Sequence, residues 1–83
     1  MFILPDMLRP HLDGVAIKQP DDFENYDANE FPHFHVFLML HLARPIDVAA
    51  IAENARIIAS IPDDEIRTIT IQELLDLGMH LKI

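Results

Sequence analysis

The chain reads as a small α+β domain: a short sheet of two to four strands with two main helices packed on one face. Three observations predict it. Residues 33–42 alternate with a period of two, Val48 to Ala59 repeats apolar side chains at three- and four-residue spacing, and residues 66–71 are dense in β-branched side chains. Strand, helix, strand and helix in succession pack most simply as helices over one sheet. If 33–42 is helical instead, the same sequence reads as all-α.

Taken in order, residues 2–4 suit a short strand and Asp6 to Leu12 one or two helical turns. Val15-Ala16-Ile17-Lys18 suits a second short strand, stopped by Pro20. From position 19 to about 32 the composition shifts to an acidic loop with no strong apolar period. His33 to Leu42 follows. As a strand it sets Phe34, Val36, Leu38, Leu40 and Leu42 on an apolar face, and His33, His35, Phe37, Met39 and His41 on an amphipathic one.

Pro45 suits the first position of a helix to about Ser60, whose inner face is Val48, Ile51, Ala52, Ala55, Ile58 and Ala59. Pro62-Asp63-Asp64 reads as a turn. Ile66, Thr68 and Thr70 alternate with Arg67, Ile69 and Ile71 as a strand. Thr70 and Glu73 match a capping box, opening a short helix through Leu74, Leu75 and Leu77 that Gly78 terminates.

The 83 residues form one domain, near the small end of what folds without staples. With no cysteine, a disulfide framework, a cysteine–zinc site and a cysteine nucleophile are excluded. Fourteen acidic residues against six basic ones give a formal charge of −8, which argues against direct nucleic-acid binding and for a partner with a basic surface. The chain is nevertheless 51% apolar, more than one small core absorbs, so a self-association or partner interface is expected. No apolar run exceeds five residues, as in Val36 to Leu40, far short of a bilayer span of about 20 residues. Met1 to Leu4 carries no basic region before it, so the expected compartment is the cytoplasm.

Little in the chain carries chemistry. Glycine stands only at 14 and 78, which excludes a phosphate-cradling loop, and Ser60 lacks a nucleophile elbow. The paired carboxylates look solvated rather than tuned for acid–base work, so the expected protein is not an enzyme. His33 and His35 on one strand face are the candidate metal ligands of an alternative reading, a histidine-dependent metal-binding module with weak enzymatic activity; His41 lies about 20 Å farther along that face. The leading expectation is a cofactor-free acidic module that regulates or inhibits another protein by docking on its basic surface. The candidate contact residues are Asp21, Asp22, Phe23, Glu24, Tyr26, Asp27 and Glu30, two aromatic rings among five carboxylates. The face bearing His33, His35, Phe37, Met39 and His41 is the candidate homodimer surface, one that protonation near pH 6 would weaken.

Overall fold

The computed structural model describes residues 5–43 and 47–81. Among them there is no strand. The α+β expectation is therefore wrong and its all-α alternative holds: the chain is built from short helices around one apolar cluster. A 3-10 helix spans Pro5–Leu12, α1 spans Pro32–Ala43, a 3-10 turn at Val48–Ala50 leads into α2 at Ile51–Ala59, α3 is the single turn Asp63–Ile66, and α4 spans Ile71–Asp76.

The segment that decides the class is α1. Its leucines, methionine and phenylalanines are unbranched at Cβ, only Val36 is β-branched, and Pro32 is pre-organised for a first helical position. Where nearly every residue is apolar, an alternation of two carries little information. Burial follows the helical period instead, with Phe34, Phe37, Leu38, Leu40 and His41 turned inward. The N-terminal 3-10 helix, α2 and α3 all pack against it.

The other expected strands fail for local reasons. Val15–Lys18 is irregular; the Ile17 amide bonds back to the Val15 carbonyl at 2.9 Å, a three-residue turn with no sheet partner. Between 66 and 71, the Pro62 carbonyl takes the Glu65 and Ile66 amides, at 3.1 and 2.9 Å, and so starts α3. Asp63, Asp64 and Glu65 fill its first turn, where helix polarity favours carboxylates. Thr68 and Ile69 then only bridge to the cap of α4. The strand expected at 2–4 and Pro45 lie outside the described residues.

The remaining signals hold. Thr70 and Glu73 form the capping box, with the Glu73 amide donating to Thr70 Oγ1 at 3.2 Å and the Thr70 amide to Glu73 Oε1 at 3.3 Å. Gly78, at φ +97°, closes α4: its amide reaches the Leu75 carbonyl and the Met79 amide the Leu74 carbonyl, the paired bonds of a Schellman ending. Helix α2 starts later than expected. Asp47 caps the 3-10 turn through the Ala49 amide, and Val48, assigned to the inner face, is 55% exposed. Ile51, Ala55 and Ile58 do face inward, together with Asn54.

Candidate functional site

The acidic loop is an ordered platform. Asp22 Oδ1 accepts the Glu24 amide at 2.8 Å and Asp27 Oδ1 the Asn29 amide at 2.9 Å, two side-chain turns that fix the backbone locally. Aromatic rings then pin it to α1. Phe23 lies 4.4 Å from Phe34 between ring centres, and Tyr26 stands edge-on to Phe34 at 5.1 Å and to Phe31 at 6.3 Å. Cations cover the outer faces of this cluster, with the Arg9 guanidinium 4.0 Å above Phe23 and Lys18 Nζ 5.0 Å above Phe31.

Of the seven candidate contact residues, the structure keeps five together at the surface. Asp21, Asp22, Glu24, Asp27 and Glu30 are exposed, Tyr26 is half-buried, and Phe23 is 1% exposed. Phe23 therefore serves the shape of the loop rather than its surface. Among the described residues, no cation forms a salt bridge with any of the five carboxylates: Arg9 pairs with Asp6 and Arg67 with Asp63, and the His80 ring lies 3.4 Å from Glu53. Arg67 still reaches the loop, its Nη2 donating to the Asn29 carbonyl at 2.9 Å and tying α3 to the platform.

The expected histidine face does not exist, because α1 is a helix. Residues 33 and 35 point about 200° apart around its axis. His33 Nε2 bonds the Ile61 carbonyl at 2.6 Å, His35 Nδ1 meets the Tyr26 hydroxyl at 2.8 Å, and His41 turns into the core against Phe37, 4.3 Å between ring centres. Phe37 is buried, and Met39 alone of the five is well exposed. The shared metal pair and the shared pH-responsive face fall with the strand. Among the described residues, no group of three or more histidine, aspartate or glutamate side chains is placed to hold a metal ion.

Burial pushes the Tyr26 phenol up from its ordinary pKa. Its hydroxyl shares a hydrogen bond of 2.8 Å with His35 Nδ1. That arrangement fastens the loop to α1 and works against a phenolate nucleophile. Burial pushes the His41 imidazole the other way, down, with nearby His11 adding to the effect and the bond to the Phe37 carbonyl (2.7 Å) opposing it. His41 Nε2 is buried with no hydrogen-bond partner.

Sequence reasoning missed the Tyr26–His35 and Arg67–Asn29 ties, both of which depend on α1 being helical or on contacts 38 residues apart. It also missed the groove of about 450 Å³ that Ala28, Asn29, Pro32, His35, Val36, Ile66 and Arg67 enclose beside the platform. The signal for a helical α1 was present: Pro32 opens a run of twelve residues with no formal charge and no glycine. Among the described residues, no helix is long and apolar enough to cross a membrane. Comparison with protein-family models, with curated proteins and with solved structures yields no match.

Proposed function

We propose that this chain is an acidic protein-binding module that docks its 21–30 platform on a basic surface of another protein and regulates or inhibits that partner by covering it. One observation carries the reading. Five exposed carboxylates are held on a loop pinned by three rings, and no cation of the described residues pairs with any of them. A pre-organised array of one sign loses little entropy on binding and steers an oppositely charged partner. Tyr26, half-buried at the edge of the platform, offers the aromatic contact that Phe23 does not.

The test replaces Asp21, Asp22, Glu24, Asp27 and Glu30 with the corresponding amides. Asparagine keeps the acceptor oxygen that both side-chain turns use, so the loop keeps its shape while the formal charge falls from −8 to −3. Proteins captured by the immobilised wild-type chain are quantified beside those captured by the variant, at 50 and 300 mM salt. A basic protein whose capture drops several-fold in the variant and in high salt is the expected result. If every captured protein is retained equally by the variant, the platform is not the docking surface.

A further inference from the structure

The groove beside the platform lies between two acidic segments. One wall is the turn at residues 27–30, closed by the Glu30 amide donating to the Asp27 carbonyl at 3.0 Å. Its central residues, Ala28 and Asn29, line the groove, and its ends are the exposed carboxylates Asp27 and Glu30. A second wall follows α3, whose exposed first turn is Asp63, Asp64 and Glu65 and whose next two residues, Ile66 and Arg67, line the groove. Pro32 and Val36 of α1 add apolar surface between these ends.

The cation in the lining is already committed. Arg67 Nε donates to Asp63 Oδ2 at 2.9 Å and its Nη2 to the Asn29 carbonyl at 2.9 Å, which also braces one wall against the other. His35, the remaining ring of the lining, is held through Nδ1 by the Tyr26 hydroxyl at 2.8 Å. Among the described residues, Asp27, Glu30, Asp64 and Glu65 form no salt bridge. The result is a small apolar recess with braced walls and an uncompensated negative rim.

We propose, on the platform reading above, that this groove receives one leucine-sized side chain of the partner, flanked in the partner's chain by Lys or Arg. Charge complementarity selects that occupant. An acidic segment meets carboxylates on both rims, and an uncharged one makes no use of them. The volume of about 450 Å³ accommodates one apolar side chain against Ala28, Pro32 and Val36, with its cationic neighbours left at the rims. Walls already tied by Arg67 and Tyr26 lose little freedom when it enters. The platform thus supplies steering, and the groove supplies the choice among basic segments.

Two peptides of equal charge are the probes, acetylated and amidated Lys-Arg-Leu-Arg-Lys and Lys-Arg-Ser-Arg-Lys. Each is titrated to about 2 mM into the isotope-labelled chain at about 50 mM NaCl, where screening is weak, and followed by nuclear magnetic resonance. The leucine peptide binds at least about fivefold tighter, as burial of much of that side chain requires. Its methyls give Overhauser contacts to Ala28 and Val36. Ala28→Phe fills the groove without altering a charge and brings the ratio of affinities close to one; the wild-type contacts carry the test where that variant disturbs the turn. The ratio reads the groove, and the absolute affinities read the platform: the five-amide variant weakens both peptides several-fold and preserves the ratio. Equal binding of the two peptides by wild type, lost in the five-amide variant, overturns the groove and spares the platform. A preference for leucine without contacts to Ala28 and Val36 overturns the groove as well, as does binding of neither peptide at 2 mM. Affinities that the five amides leave untouched overturn the platform reading, and the basic segment with it.

Discussion

Asn54 joins α2 to the segment after α4, and its removal has a magnitude that follows from its geometry. The side chain is fully buried on α2 and spends both polar atoms on one residue: Nδ2 donates to the His80 carbonyl at 3.1 Å, and Oδ1 accepts the His80 amide at 3.0 Å. This bracket holds the segment after α4 against α2 and seats Met79, 4% exposed, in the core. Asn54→Ala loses both bonds, at about 1 kcal/mol each, and leaves a void where the carboxamide was. A total of about 2–3 kcal/mol lowers the midpoint of thermal unfolding by roughly 10–20 °C for a domain of this size. Hydrogen exchange supplies the local readout, because the His80 amide loses its acceptor while the α1 amides keep theirs. A midpoint change under about 3 °C with His80 protection unaltered would refute the bracket as a source of stability.

Other expectations test the caps and the buried histidine. Thr70→Ala removes the capping box and costs about 1 kcal/mol in thermal unfolding, whereas Thr70→Ser is close to neutral; equal losses would show that the hydroxyl is idle. Gly78→Ala costs about 1–2 kcal/mol, all of it from a backbone at φ +97°, since nothing stands within 4 Å of the added methyl. His41 has its pKa lowered from 6.5 in the folded chain, so the fold prefers the neutral ring. Its contribution is fully present above about pH 6.5 and is lost as pH falls toward the lowered value. Midpoints measured at pH 7.5 and 5 drop further for wild type than for His41→Leu, and identical drops would remove His41 from the account. Phe23→Ala costs about 3–5 kcal/mol and abolishes the platform along with part of the core; a variant that folds like wild type would show that the ring does not pin the loop.

The parts of this fold that could be read from the sequence are those set by neighbours in the chain. Thr70 with Glu73 and Gly78 after Leu77 determine their own local geometry, and both bound α4 as expected. The 19–32 segment reads as an acidic loop because it lacks an apolar period, and in the structure Asp22 and Asp27 hold nearby amides in side-chain turns. What could not be read depends on packing. Phe23 and Tyr26 lie a few residues apart with similar surroundings in sequence, yet α1 buries one and leaves the other at an edge. The β-branched run at 66–71 carried strand propensity, and the carboxylates after Pro62 together with the cap at Thr70 divided it between two helices. Helix α1 misled most. A helix with one wet face shows a period near 3.6, because water selects polar residues there. In α1 the exposed positions are Met39 and Leu42, with Val36 half-buried beside them, so the outer face is nearly as apolar as the inner one and the period disappears. Residues 32–43 therefore lack the sequence pattern of a face in contact with water even though Met39 and Leu42 are 42% and 44% exposed, and a two-residue alternation could pass for a strand where the helical period had been erased.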